Sequence, residues 1–275
     1  MNFLITGVSS GFGRAFARAA LAAGHRVIGT VRNAQARQHF EELAIGRAIG
    51  LELDVTDAAA IDTQLAQVSA AHGPIDVLVN NAGYGHEGTL EESPLDQMRH
   101  QFEVNVFGAV AMIKAVLPAM RVRRTGHIIN MTSMGGYLTM PGIAYYCGSK
   151  FALEGISGAL AQEVAQFGVK VTAVAPGSFR TDWAGRSMVR SPRSIGDYDA
   201  LFDPVRVARA AKSGLQLGDP DKAAQVLLRI ANAPDAPVHL LLGSDAVRLV
   251  GDELSALSEA IAMWESVSLS TDHAA

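Results

Sequence analysis

The sequence predicts a doubly wound α/β fold: a single domain with a mainly parallel sheet of about seven strands and helices on both faces. Two patterns predict it. Short apolar runs alternate with longer helix-like segments along the 275 residues, which favours repeated strand–helix–strand units. The short runs are also apolar throughout rather than alternately polar, as expected for parallel strands covered on both faces.

Seven short apolar runs are predicted as strands because glycine or polar residues stop each of them. They cover residues 2–6, 25–30, 49–53, 75–80, 127–130, 169–175 and 238–242. Longer segments with helical periodicity lie between them, at residues 12–23, 57–71, 94–120, 146–167, 219–232 and 245–264. The predicted domain therefore spans residues 1–266, with a flexible tail at 267–275.

One region lacks clear periodicity. Residues 177–218 are rich in Gly, Pro, Ser and Arg, and a long irregular stretch inside a compact domain is typical of an active-site lid. We therefore expect residues 183–217, called here the lid segment, to fold over a cleft when a ligand binds.

Composition excludes several classes of protein. Hydrophobic residues make up 49% of the chain and charged residues 18%, which is too apolar for a disordered protein. The formal net charge of −4 argues against a nucleic-acid-binding protein. The single cysteine, Cys147, excludes an internal disulfide and a zinc site built on several thiolates, and no other metal-ligand cluster is visible.

The N-terminal residues and the apolar runs bear on location. Residues 1–7 enter an apolar run directly, without the basic region of a secretory signal. No uncharged apolar run reaches the roughly 18 residues that a spanning helix needs. We therefore expect a cytoplasmic protein that does not bind a membrane.

A glycine-rich turn follows the first predicted strand and opens the first helix. Gly7, Gly11 and Gly13 are spaced Gly-x-x-x-Gly-x-Gly, with Ser9 and Ser10 between them. Glycines let a backbone approach a pyrophosphate closely, and a helix N-terminus attracts its charge. The turn alone is also compatible with an ordinary strand-to-helix connection.

The residue after the second strand indicates which dinucleotide would bind. NAD-binding folds usually carry an acidic residue here for the ribose hydroxyls, but this chain has Arg32 after Val31. A guanidinium can clamp a 2′-phosphate, so Arg32 favours NADP(H) over NAD(H). The alternative is that Arg32 is a solvated loop cation.

A tyrosine and a lysine share one face of the helix predicted to begin at residue 146. Tyr146 and Lys150 are four residues apart, and an ammonium beside a phenol lowers its pKa from about 10. Tyr145 lacks such a cation because its fourth neighbour is Ser149. Ser133 follows the strand at 127–130, at the sheet edge where such folds bind ligands, although an isolated serine there can simply cap a helix.

Taken together, these motifs resemble those of the short-chain dehydrogenase/reductase family over nearly the whole chain. Ser133 precedes Tyr146 by 13 positions, which is the spacing found in that family. Further segments match the family in the right order, namely the glycine turn at 6–13 and the residues at 54–55, 80–83, 104–108 and 176–181. The resemblance implies a Rossmann fold and a nicotinamide-dependent oxidoreductase.

The resemblance also implies roles for four catalytic residues. Tyr146 would give a proton in carbonyl reduction or take one in alcohol oxidation, and Lys150 would lower the pKa of Tyr146 and bind the nicotinamide ribose. Ser133 would orient the substrate oxygen. Asn105 is similar to the residue that holds a water molecule in the family's proton relay.

Cofactor contacts follow by the same likeness. Ser9, Ser10 and Arg32 would meet the adenosine ribose and its phosphate. The other implied contacts are Gly7, Gly11, Phe12, Gly13, Asp54, Val55, Asn81, Ala82, Gly83, Tyr146, Lys150, Pro176, Gly177, Phe179 and Thr181. Many NADP-dependent members have a basic residue where this turn has Ser10, so Arg32 would be the sole strong cation for the phosphate.

Candidate substrate contacts are mostly apolar. Met134, Tyr137, Tyr145 and Trp183 lie in segments that the fold would bring near the nicotinamide, and they favour a hydrophobic ketone, aldehyde or secondary alcohol. The alternative for each is a place in the core or at a subunit interface. The family resemblance further implies a homodimer or homotetramer, often paired through the helix that carries the tyrosine.

Two other functions remain open. The chain would be an NAD-dependent alcohol dehydrogenase of the same family if Arg32 did not bind a 2′-phosphate. A non-catalytic dinucleotide-sensing protein would be expected to lack the tyrosine or the lysine, and both are present here.

Overall fold

The computed structural model describes residues 1–273. Its strands in chain order are β1 (Asn2–Ile5), β2 (Arg26–Val31), β3 (Ala48–Glu52), β4 (Val77–Asn80), β5 (Gly85–Glu87), β6 (Gly126–Met131), β7 (Val169–Pro176), β8 (Met188–Arg190) and β9 (His239–Leu242). Its α-helices are α1 (Gly11–Ala22), α2 (Ala34–Glu41), α3 (Ala58–His72), α4 (Leu95–Phe102), α5 (Gly108–Arg123), α6 (Ala144–Val164), α7 (Asp199–Ala211), α8 (Pro220–Asn232) and α9 (Ser244–Leu269).

Seven strands form one sheet in the order β3-β2-β1-β4-β6-β7-β9. Every neighbouring pair is parallel. The chain first adds strands on one side of β1 and then, from β4 onward, on the other side. The carboxyl ends of β1 and β4 therefore border the crevice where such sheets bind ligands.

Helices cover both faces of the sheet. On one face α1 and α8 pack against it, around Phe16 and Leu227. On the other face α3, α5 and the second half of α6 pack against it, around Ile61, Met112 and Leu160. The predicted single doubly wound domain with a parallel seven-stranded sheet is confirmed.

A π-helix at Glu103–Phe107 joins α4 to α5 without a break. By length and composition alone, the joined stretch Leu95–Arg123 would suffice to cross a bilayer. In the fold, however, Met112, Ile113, Val116 and Met120 of this stretch are buried against the sheet. A core helix passes the same length test, so the stretch is weak evidence of a membrane span.

The seven predicted strands are all present, with ends displaced by at most two residues. Three features were missed. Helix α2 follows β2, helix α7 lies within the region predicted to be irregular, and the lid segment's strand β8 pairs with β5 in a separate two-stranded sheet. Helix α9 also continues to Leu269, past the predicted start of the tail at 267. Residues 274–275 of that predicted tail lie outside the described residues.

Candidate active site

The glycine turn lies between β1 and α1, at the carboxyl edge of the sheet. Gly7 and Gly11 have φ of 73° and 52°, a left-handed conformation that glycine adopts without strain. A Cβ on Gly13 would stand 2.2 Å from the Gly7 carbonyl oxygen, so only glycine fits there. The Gly7 amide is held by the Thr30 hydroxyl at 3.0 Å, which ties the turn to β2.

Asn81 fastens this turn to the end of β4. Its side-chain amide donates to the carbonyl oxygens of Thr6 and Gly7 at 2.9 and 3.1 Å. In return, the Thr6 hydroxyl accepts hydrogen bonds from the backbone amides of Asn81 and Ala82. Two predicted cofactor segments are thereby brought together, and the Asn81 side chain is engaged in shaping the turn.

Arg32 and Asp54 lie just beyond the ends of β2 and β3, and both are exposed. Asp54 accepts hydrogen bonds from the backbone and hydroxyl of Thr56. The Thr56 amide lowers the pKa of Asp54 most, and the charge of Arg32 lowers it further. No hydrogen bond or ion pair holds the Arg32 guanidinium to another residue among 1–273. Val55, beside them, is buried against Gly108.

Ser133 sits just beyond the carboxyl end of β6, as predicted. It is 8% exposed, and its hydroxyl accepts a hydrogen bond from the Gly135 amide at 3.0 Å, capping a short 3₁₀ turn. This capping bond is compatible with the predicted catalytic role, because a hydroxyl can accept one hydrogen bond and donate another.

Tyr146 stands in the first turn of α6 and is 7% exposed. Burial raises the pKa of its phenol to about 12, against smaller opposing effects of the Ser133 and Trp183 side chains. The Trp183 ring lies 5.0 Å from the Tyr146 ring, centre to centre.

Lys150 lies one helical turn after Tyr146 and is equally buried. Its Nζ donates to the Met131 carbonyl oxygen at 2.8 Å and lies 5.7 Å from the centre of the Tyr146 ring. Burial lowers the pKa of Lys150 to about 8, and the Glu154 carboxylate opposes that shift. The sequence predicted that Lys150 lowers the pKa of Tyr146. Here burial dominates, and that pKa stands above 10.

Asn105 belongs to the π-helix between α4 and α5, and such π-bulges are frequent at functional sites. Its Nδ2 donates to the Tyr84 carbonyl oxygen and to the Ser149 hydroxyl, each at 3.1 Å, and its Oδ1 accepts from the Tyr84 amide. Asn105 thus ties the chain after β4 to α6, one residue before Lys150. Gly83 lies beside it, since a Cβ there would stand 3.0 Å from the Asn105 Oδ1.

Glu154 was missed by sequence reasoning. It is 6% exposed and accepts hydrogen bonds from the Thr132 hydroxyl at 2.5 Å and the Tyr137 hydroxyl at 2.9 Å, while His239 Nδ1 lies 3.0 Å away. The signal that could have found it is the four-residue step from Lys150 to Glu154, which repeats the step from Tyr146 to Lys150.

The residues after β7 meet the glycine turn from the other side. Gly11 faces Thr181, since a Cβ on Gly11 would stand 3.6 Å from the Thr181 Cβ. The Phe179 ring packs against the Phe12 ring, with the two ring centres 5.0 Å apart. Gly177, which follows Pro176, packs closely against the Asp245 side chain. The Asp245 carboxylate also accepts a hydrogen bond from the Ser178 amide.

The predicted substrate residues divide into two groups. Trp183 contacts Tyr146 as described, and Met134 is half-buried in the short turn after Ser133. The Tyr145 hydroxyl instead donates to the Ser93 carbonyl oxygen at 2.6 Å, and the Tyr137 hydroxyl is bonded to Glu154. Both hydroxyls are therefore engaged within the chain, and the buried Tyr145 ring stacks on His86 with ring centres 4.8 Å apart.

Comparison with known proteins identifies the family in which this arrangement occurs. The short chain dehydrogenase family model matches residues 2–189. The chain belongs to the short-chain dehydrogenase family. It is 37% identical to the oxidoreductase BOA17 of Botryotinia fuckeliana over 98% of both chains.

Solved structures of short-chain dehydrogenases agree. A short-chain dehydrogenase from Streptomyces avermitilis is 41% identical, with a TM-score of 0.91 over 98% of this chain and 99% of its own. A metagenomic short-chain oxidoreductase in complex with NADP is 30% identical, with a TM-score of 0.70 over 88% of this chain and 96% of its own. The carboxyl edge of the sheet is therefore the candidate active site of a short-chain dehydrogenase.

The turn of this short-chain dehydrogenase suits a dinucleotide. Ser10 occupies the N-cap of α1 but makes no side-chain cap hydrogen bond, so the first amides of the helix are left to a phosphate. Gly13 lets that helix approach Gly7 closely. The Arg32 guanidinium forms no ion pair with a carboxylate among residues 1–273. These features fit a nicotinamide dinucleotide.

The lid segment is tied down by charged side chains. Glu87, only 3% exposed, meets Arg190 at 3.1 Å and Arg209 at 2.5 Å. Glu92 accepts the backbone amides of Ser194 and Ile195 and pairs with Arg193. These bonds, led by the Ser194 amide, hold the pKa of Glu92 at about 2. Both carboxylates bind the lid segment to the chain that follows β4.

The described part of the chain shows no cluster of metal-binding side chains. Among residues 1–273, no group of three or more His, Cys, Asp or Glu side chains could hold a metal ion. Cys147 is buried there as a free thiol, and burial raises its pKa, which disfavours the reactive thiolate.

Proposed function

We propose that this short-chain dehydrogenase transfers a hydride between NADP(H) and a carbonyl/secondary alcohol pair on a hydrophobic substrate, with Tyr146 as the proton donor or acceptor. One observation carries the proposal: a buried phenol, a serine hydroxyl and a buried ammonium meet at the carboxyl edge of the sheet, beside the glycine turn. When bound, the nicotinamide supplies or accepts the hydride.

Tyr146 is suited to give a proton in the reduction direction. A pKa of about 12 keeps the phenol protonated at neutral pH, so it can donate to a carbonyl oxygen as negative charge develops there. Ser133 would donate a second hydrogen bond to the same oxygen. The Lys150 ammonium would stabilise the phenolate that remains, because opposite charges attract strongly where water is excluded.

NADP(H) is favoured by Arg32. The exposed Arg32 guanidinium, held by no hydrogen bond or ion pair within residues 1–273, is free to bind a 2′-phosphate in a bidentate manner, whereas the residue directly after β2 is not the carboxylate that a 2′-hydroxyl would need. The NADP-bound metagenomic relative supports this preference. NAD(H) would be favoured instead if Arg32 made no contact with the cofactor.

The surroundings of Tyr146 suit an apolar substrate. Tyr146 packs with Ile143 and Cys147 against Met140 and Trp183. These mostly apolar side chains would bind an aromatic or aliphatic ketone by burial beside the phenol.

Replacing the phenol tests the proposal. Tyr146→Phe is expected to lower NADPH-dependent ketone reduction by at least about a hundredfold, because general acid catalysis is lost, while NADPH binding by fluorescence titration stays within a few-fold. Tyr84→Phe is the matched control, since the Tyr84 hydroxyl makes no hydrogen bond within residues 1–273.

Three outcomes contradict the proposal. Activity retained by Tyr146→Phe would remove Tyr146 from the mechanism. Reduction of small charged keto acids alone would contradict the hydrophobic substrate. Failure of the wild-type protein to bind either NADPH or NADH would favour a non-catalytic protein.

A further inference from the structure

The last helix leaves the body of the protein. In α9 only Ala246 and Val250 are buried, and every residue from 251 to 273 is exposed. Residues 251–269 continue as helix for about 28 Å without covering by any other described element. Helices in proteins gain most of their stability by packing an apolar face, and this stretch has no such packing within the described residues.

The exposed stretch carries an apolar stripe with a coiled-coil period. Val247, Val250, Leu254, Leu257, Ile261 and Trp264 are separated by alternating steps of three and four residues, the spacing of a seam between paired helices. Leu254, Leu257, Ile261 and Trp264 are each more than half exposed. The stripe continues the line of Ala246 and Val250, which the body of the same chain covers.

We propose that this exposed stretch, residues 251–269, pairs antiparallel with the same helix of a second copy of this chain. The seam side chains then meet in layers, Leu254 against Trp264 of the second copy and Leu257 against Ile261 of the second copy. The twofold axis crosses the seam at the level of residue 259, midway between Leu257 and Ile261.

The body of the chain decides the direction of pairing. It covers Ala246 and Val250 of α9, so a parallel partner would bring a second body into the same space. An antiparallel partner overlaps only residues beyond 250, and its own body then lies past the tip of the first helix. Val267 and Leu269, each more than half exposed, reach the partner's body in this arrangement.

The charges of the helix suit a second copy of the chain. Residues 251–273 hold five carboxylates and no lysine or arginine, which disfavours an anionic lipid surface. Asp252 and Glu259 lie on the side opposite the seam. Glu253 and Glu265 flank the seam, but antiparallel pairing places them opposite Val267 and Gly251 of the second copy, so no two carboxylates face each other.

Crosslinking of single-cysteine variants tests the pairing independently of any other subunit contact. Ser258→Cys stands at the edge of the seam near the twofold axis, whereas Glu259→Cys, the matched control, stands on the opposite face. The native thiol, Cys147, is buried. With a short bismaleimide, Ser258→Cys is expected to give a covalent dimer at least tenfold faster than Glu259→Cys. Equal rates would overturn the proposal.

A second pair of variants measures association. Ile261→Glu places a carboxylate in the seam and is expected to weaken self-association at least tenfold in sedimentation and to shift Trp264 emission toward that of exposed indole. Met263→Glu, an equal change off the seam, is expected to leave both unchanged. An unchanged mass and spectrum for Ile261→Glu, or binding of wild type to phosphatidylcholine vesicles without Ser258→Cys crosslinking, would refute pairing with a second copy.

Discussion

At the scale of single residues, the chemistry of the site depends on three ionisable groups spaced one helical turn apart on α6. Tyr146, Lys150 and Glu154 are all buried, and the Glu154 carboxylate raises the pKa of Lys150 against the larger effect of burial. The sequence identified the first two because their spacing is a local property of a helix. The same spacing indicates that Glu154 shares their helix face, but its burial could not be predicted, because its partners Thr132 and His239 come from distant parts of the chain.

The pH dependence of reduction tests this coupling. Lys150 has a pKa lowered to about 8 by burial, so its ammonium is lost as pH rises through that value, and the reduction rate is expected to fall there. Glu154→Gln removes the carboxylate that favours the ammonium and is expected to move this fall about one pH unit lower. The measurement is kcat as a function of pH from 6 to 10.

A control for this profile lies on the same helix. Glu163 is exposed near the end of α6, and Glu163→Gln is expected to leave the fall in rate where it is in wild type. Coincident profiles for wild type and Glu154→Gln would show that Glu154 does not act on the ammonium of Lys150.

At the scale of elements, prediction succeeded where burial imposes a pattern. The central strands were found because they are buried on both faces and hence largely apolar. Helix α7 was missed because it contains Pro204, lies within a stretch rich in Gly, Pro, Ser and Arg, and has Phe202 as its only buried residue. The small sheet of β5 and β8 was missed because ion pairs and backbone pairing between distant segments hold it, and neither leaves a local pattern.

The glycine turn yields a test at this scale. Gly13→Ala would force a Cβ against the Gly7 carbonyl oxygen and the Asn81 amide, so we expect a loss of about 1–3 kcal/mol in unfolding free energy and at least tenfold weaker NADPH binding. Gly155→Ala in α6 is the control. A Cβ there meets no atom within 4 Å, and removing a helical glycine should stabilise the protein by up to about 1 kcal/mol.

Chemical denaturation and NADPH titration of both variants would decide this point. If Gly13→Ala had the stability and the cofactor affinity of wild type, the turn would have to move enough to make room for the added Cβ. The close packing of α1 on the turn would then not be the reason for a glycine at this position.

At the scale of the whole molecule, the bound cofactor is expected to stabilise the folded protein by contacting both halves of the sheet. Its predicted contacts lie beyond β1, β2 and β3 on one side and β4, β6 and β7 on the other. A ligand that binds only the folded state stabilises it by about 2.7 kcal/mol at a hundredfold excess over Kd. For a chain of this size, that corresponds to a rise in Tm of about 5–10 °C.

Cofactor preference can therefore be read from thermal unfolding. NADPH is expected to raise the Tm of wild type more than NADH does at equal concentration, and Arg32→Asp should reverse that order because a carboxylate repels the 2′-phosphate. Arg229→Asp, an exposed arginine on α8, is the control and should keep the wild-type order. An unchanged order in Arg32→Asp would make Arg32 a solvated loop cation.

The placement of Tyr146 and Lys150 on one uninterrupted helix also limits how the gene can change. One residue inserted between them would turn the lysine about 100° around the helix axis, away from the phenol, and no neighbouring loop could correct the error. The stretch from Ser133 to α6 passes through a short 3₁₀ turn and a loop, which can absorb small changes in length. Insertions and deletions should therefore be excluded from residues 146–154 far more strictly than from the loop that precedes them.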